Sequence, residues 1–148
     1  MKYILIALLM VLASLALIAG CSTMPQITTL EGEERDAAVT LAEPLAENIF
    51  VAMNEGDYTK FSRDFNENMI KALKEQNFNE MKQTFDDRIG LYQSREVTSV
   101  QRIDQVYVIT YAADFEKESD VSVTLSVSET DPPQVAGLWF DSPKLREK

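Results

Sequence analysis

The 148-residue chain contains no histidine and a single cysteine, Cys21. Without an imidazole base, Ser-His-Asp and Cys-His catalysis and histidine-based metal sites are excluded. One thiol closes no disulfide within the chain, so the fold must rest on an apolar core. The five glycines are scattered and form no phosphate-cradling loop. Basic residues are also few: 14 Lys and Arg stand against 24 Asp and Glu, a formal charge of -10. Nucleic-acid binding needs clustered cations that displace counterions from phosphate, and the cations here are dispersed among acids. Anionic lipid head groups likewise repel an acidic chain, so any hold on a bilayer must come from an anchor.

What is present begins with one long apolar run. Lys2 supplies a positive start, and Ile4 to Ile18 is apolar except for Ser14, the charge-then-apolar layout of a secretory signal. Residues 3–20 only just reach the lower length limit of a membrane-spanning helix. The run ends in Ile18-Ala19-Gly20-Cys21, which resembles the lipobox of prokaryotic lipoproteins. There an apolar residue and two small ones precede a cysteine that is lipidated and becomes the new N-terminus. The resemblance implies that residues 1–20 are a signal peptide and that Cys21 carries acyl chains of the palmitate kind. Two chains suffice for stable anchoring. The domain is then expected outside the cytoplasm, on the cell membrane or outer membrane, and loss of Lys2 takes its net charge to -11.

Residues 21–33 mix Ser, Thr, Pro and Gly with little periodicity and read as the lipidated N-terminus and a tether. From Glu33 the spacing turns helical, with Ala38, Ala42, Leu45, Ala46, Ile49, Phe50 and Met53 on one face. Pro44 interrupts it and predicts either a kink or a helix start there. Gly56 is suited to a left-handed cap and Asp57 to capping a new helix. Tyr58, Phe61 and Phe65, then Met69, Ile70 and Leu73, mark two short helical pieces. A clearer helix follows, with Asn77 and Glu80 at capping-box spacing, an apolar stripe of Phe78, Met81, Phe85 and Ile89, and Gly90 as its stop.

After Gly90 the period becomes two. Residues 91–102 are extended and polar-rich, and 105–115 are dense in β-branched and aromatic residues. Val121, Val123, Leu125 and Val127 alternate with Ser and Thr, as in a strand with one wet face, and 134–140 form the last strand. Helices followed by about four antiparallel strands make an α+β domain in which the helices cover one face of the sheet.

The order of elements, with Asn54-Glu55-Gly56-Asp57-Tyr58, Tyr111-Ala112-Ala113-Asp114-Phe115-Glu116-Lys117 and Val135-Ala136-Gly137-Leu138-Trp139-Phe140, is similar to the nuclear-transport-factor-2-like, or cystatin-like, cone domains. Within them it resembles small secreted bacterial and archaeal domains of unknown function, found on lipoproteins or fused to hydrolases. The resemblance covers residues 34–143, leaving 144–148 as a tail. It implies a curved sheet around a long helix, with a cone-shaped pocket that is either open or filled.

Chemistry-bearing groups are few. Asp86-Asp87, Glu116/Glu118 with Asp120, and Glu129/Asp131 fall at helix ends and turns, where solvated charge is the ordinary role. None has the spacing of a calcium loop. No metal and no cofactor is expected. An isomerase of the family's ketosteroid type would need a carboxylate base and a tyrosine in an apolar pocket. Alternation, however, places Tyr107, Tyr111 and Phe115 on one face and Asp114 on the other, with Tyr92 on a neighbouring segment. Tyr111 and Trp139 are the candidates for a ligand pocket; Trp139 is equally the candidate for an exposed sheet face. The expectation is a lipid-anchored, non-enzymatic binding or assembly domain. Its partner is a protein or small molecule, and a homodimer through the sheet is one form.

Overall fold

The computed structural model describes residues 25–147. Residues 1–24, on which the expected leader, lipobox and acylated Cys21 fall, lie outside the described residues. The first element, β1 (Ile27–Thr29), falls inside the stretch read as a tether. It pairs with β2 (Tyr92–Ile103), Ile27 opposite Ile103 and Thr29 opposite Gln101. The sheet continues through β3 (Val106–Phe115), β4 (Glu118–Ser128) and β5 (Gln134–Asp141) in the order β1-β2-β3-β4-β5, antiparallel throughout. It therefore has five strands where the periodicity indicated about four. Three residues are too short to show alternation, which is why β1 escapes detection by pattern.

Helix α1 (Gly32–Glu55) lies across one face of the sheet and continues through Pro44 without ending there. The proline is exposed on the solvent side, so the Thr40 carbonyl that it deprives of a donor can be hydrated instead. On the opposite side Ala38, Ala42 and Ala46 are buried at successive turns. These small side chains let the helix axis approach the sheet closely. Gly56 adopts φ 69° and closes the helix by donating to the Ala52 and Met53 carbonyls, the left-handed cap expected there.

Three helices follow: α2 (Tyr58–Phe61), α3 (Glu67–Ala72) and α4 (Glu75–Arg88). The Asp57 carboxylate caps α2 through the Lys60 N–H at 3.0 Å. Helix α4 begins two residues before Asn77, whose side chain reaches back to accept the Lys74 N–H at 3.3 Å. Gly90, at φ +80°, lets the chain turn beneath the β3–β4 hairpin; a Cβ there would stand 2.8 Å from that of Glu116. The C-terminal residues fold back as α5 (Pro143–Arg146), whose Lys144 and Leu145 carbonyls accept from the Arg88 guanidinium at 3.1 and 3.3 Å.

The buried apolar side chains of the described residues run from Leu30 to Val135, so the chain after Cys21 carries a complete core of its own. Aromatic rings fill the space between α1 and the sheet. Phe50 stacks on Tyr92 at 4.3 Å and meets Tyr111 and Phe140 edge-on at 6.5 and 6.2 Å. No helix among the described residues is long and apolar enough to cross a membrane.

Asn54, in the last turn of α1, fixes the helix to the sheet. Its amide donates to the Tyr92 carbonyl and accepts the Tyr92 N–H, both at 2.9 Å. Asn54→Ala leaves both backbone groups short of a partner in a half-buried place. It is expected to cost about 2–3 kcal/mol, read as a lower urea midpoint at unchanged m-value.

Candidate functional site

Two features stand outside the packed core: a charged cluster at the open flank between α1 and β2, and the uncovered face of the sheet. In the first, Arg95 lies opposite Ala113 on β3, a position that points toward the helix. Glu43 and Glu47, one turn apart on α1 and so on the same face, meet it there. The guanidinium donates to Glu43 Oε2 at 2.7 Å, to Glu47 Oε2 at 2.8 Å and to the Tyr92 hydroxyl at 2.7 Å. Its Cζ sits 5.2, 5.9 and 5.7 Å from the ring centroids of Phe50, Tyr92 and Tyr111, within range for cation–π attraction.

Only 8% of the Arg95 side chain is exposed. A guanidinium this deeply placed needs paired carboxylates to offset its lost hydration. Burial works against its charge, but the hydrogen bonds it donates to Glu47 and Glu43 more than compensate and hold its pKa above the ordinary arginine value. Two hydrogen-bonding atoms in the cluster have no partner among the described residues: Arg95 Nε and the Tyr111 hydroxyl. Burial, followed by the Glu43 charge, pushes the Tyr111 phenol up from its usual range. In front of the cluster lies an open recess of about 420 Å³ bounded by the two glutamates, Tyr92, Gln93, Ser94 and Val97. Among the described residues no group of three or more cysteines or carboxylates is placed to hold a metal ion.

The second feature follows from strand alternation. Val121, Val123, Leu125 and Val127 of β4 are buried against the helices, so Ser122, Thr124, Ser126 and Ser128 form part of the outer face. Across it run three rows without a charged residue: Ser99, Thr110, Thr124 and Trp139; Gln101, Val108, Ser126 and Gly137; Ile103, Val106, Ser128 and Gln134. Acids enter only at one end, with Glu96 beside Ala112 and Asp141 beside Ser122. Trp139 is 69% exposed on this face.

Tyr111 and Trp139 are thus on opposite faces, since Tyr111 pairs with Val123 and Trp139 with Thr124. The structure does not bring them into one pocket. Asp114 points outward, accepting from the Ser94 hydroxyl and the Asp120 N–H at 3.2 Å each. Tyr107 lies at the other end of the sheet beside Arg102. The other acid clusters are scattered: Asp86 binds Lys82, Glu129 binds Arg102, and Glu118 accepts from Ser142. The carboxylate beside Tyr111 is Glu43, which the sequence reading did not single out, nor did it single out Glu47 or Arg95. An arginine at an inward strand position was the available signal. Register shifts at Tyr92/Ser94 and Val97/Ser99 blur the alternation that would have exposed it.

Helices laid on one face of an open antiparallel sheet define a small α+β domain. The family described as "Protein of unknown function (DUF3887)" matches residues 46–131, more than half of the chain, and the chain belongs to that family. No curated protein and no solved structure matches it. The matched segment contains Glu47, Tyr92, Arg95 and Tyr111; Glu43 and Trp139 lie outside it.

The raised Tyr111 pKa makes a signed prediction. Above pH 10 the unfolded chain loses the Tyr111 proton while the folded chain keeps it, so stability falls as pH rises, by at most about 1.4 kcal/mol per pH unit. Tyr111→Phe removes this slope. At pH 7 the removed hydroxyl is buried, without a partner in good hydrogen-bond geometry but close to the Glu43 carboxylate, so the substitution should cost no more than about 1 kcal/mol. Urea unfolding of both proteins at pH 7 and pH 11 measures the difference.

Proposed function

We propose that the chain is a lipid-anchored, extracytoplasmic binding domain that assembles through the outer face of its sheet, without catalysis of its own. The observation that carries this reading is Trp139, 69% exposed beside three uncharged rows, in a chain of net charge -10. Depletion of charge around an exposed aromatic is the compositional mark of an interface centre. Acids outnumber bases in the chain as a whole, and a like-charged partner approaches most readily where charge is absent. A second copy of this chain owns such a surface, and anchoring at Cys21 would hold copies on one membrane at high local concentration.

Two observations support the non-catalytic part. Asp114 faces away from the tyrosines, and Glu43, which stands beside Tyr111, is tied to Arg95 and 41% exposed. Neither is a dry, free carboxylate of the kind an isomerase base requires. Interior rings meanwhile occupy the space in which a wide apolar ligand would lie.

Sedimentation equilibrium of residues 22–148 tests the surface. Trp139→Ala should weaken dimerisation at least about 30-fold, as for a central aromatic anchor, and Trp139→Glu should abolish it. A wild-type domain that stays monomeric to about 1 mM has no self-association worth more than about 4 kcal/mol, which contradicts the reading. For the anchor, the membrane-extracted chain should begin at Cys21 with a mass increase equal to its acyl groups, and Cys21→Ala should move the protein to the soluble fraction. An unmodified Cys21 on a retained leader would contradict it.

A further inference from the structure

The recess beside Arg95 has a hydrogen-bonding inventory that ion pairing within the chain does not use up. Glu43 and Glu47 each give one oxygen to the guanidinium; their other oxygens have no hydrogen-bond partner among the described residues, and the side chains are 41% and 60% exposed. Two carboxylates against one guanidinium leave one negative charge uncompensated at the rim. Beneath it, the Arg95 Nε–H and the Tyr111 hydroxyl are buried and unpartnered; Tyr111 is 1% exposed and borders the recess. A buried donor without an acceptor is costly, so the floor calls for an oxygen just as the rim calls for a cation.

A divalent metal fits this poorly. Calcium or magnesium would need six or more oxygens, and the fixed guanidinium charge would oppose any divalent ion. A free anion would meet the two carboxylates first. The matching ligand carries an ammonium group with an oxygen acceptor close by.

We propose that this recess binds a primary ammonium with a neighbouring carbonyl, the chemistry of a peptide amino terminus or an amino-acid amide. The ammonium sits against the outward oxygens of Glu43 and Glu47. Arg95 Nε–H and the Tyr111 hydroxyl have no exposed surface in the free domain, so binding turns the guanidinium within its cage of rings and uncovers both to the carbonyl, which accepts from them. A recess of about 420 Å³ is within the size range of small-ligand sites, enough for one or two residues of an extended chain. The proposal is independent of the outer face, which lies on the other side of the sheet.

Calorimetric titration of residues 22–148 with four probes tests it: trialanine amide, alanine amide, N-acetyl-trialanine amide and butylamine. Trialanine amide should bind, and acetylation, which removes the cation, should weaken it at least about tenfold. Butylamine, which has no acceptor, should also bind at least about tenfold more weakly. Equal affinity for trialanine amide and alanine amide assigns the site to single amino-acid derivatives; tighter binding of trialanine amide assigns it to chain ends; both support the site. Glu47→Gln keeps a hydrogen-bonding group at an exposed position, so the fold survives while the ammonium contact weakens. Tyr111→Phe removes the floor hydroxyl and should lower affinity for the amides without changing that for butylamine. No heat from trialanine amide at 10 mM, or equal binding of the acetylated form, overturns the proposal.

Discussion

The structure depends on one packing constraint: the helices, the long α1 foremost, must cover the inward face of a five-stranded sheet. Alanines at 38, 42 and 46 bring α1 close to β2 and β3, whose Val100, Ile109 and Tyr111 are buried. Farther along the helix, Ile49, Phe50 and Met53 are buried on the same side. A larger residue at Ala42 would push the helix off the sheet.

Arg95 is where that packing reaches its edge. Strand β1 covers β2 only from Gln101 to Ile103, so the rest of that strand faces a flank without a neighbouring strand. The guanidinium closes the flank from inside, stacked among Phe50, Tyr92 and Tyr111 and clasped by two helix carboxylates. A hydrophobic side chain of similar size would cover the same rings, and replacing a buried ion pair in this way is often neutral or stabilising. What such a replacement would not reproduce is the polar rim in front of it. The charge placed there is a property of the surface as much as of the core.

Much of the fold was legible because helices and long strands repeat. The apolar stripe from Ala38 to Met53, the Gly56 cap and the Val/Ser alternation of β4 each carry several turns or pleats of signal. Strand β1 has three residues and no repeat. Pro44 was ambiguous because its effect depends on which side of the helix it faces, and that is decided by the packing. For the site, alternation located Asp114 and the tyrosines on opposite faces. It misjudged Tyr111 and Trp139 as partners, because they lie on strands separated by β4 and only the cross-strand register reveals opposite faces. Arg95, Glu43 and Glu47 meet across some 50 residues of sequence, and no local pattern encodes such a meeting.

The central claim is that the sheet divides the domain into a filled side and a side left free for a partner. Trp139 is the chain's single tryptophan, so its fluorescence reports on one place, the outer face at the β5 edge, where it also borders a recess with Leu73, Met81 and Phe85. Acrylamide, being uncharged, probes it without interference from the acidic surface. In dilute solution of residues 22–148, Trp139 should be fully quenchable with red-shifted emission. As concentration rises, the emission should move to the blue and quenching should fall. A tryptophan protected at the lowest concentration, or one equally open at every concentration, would contradict the account.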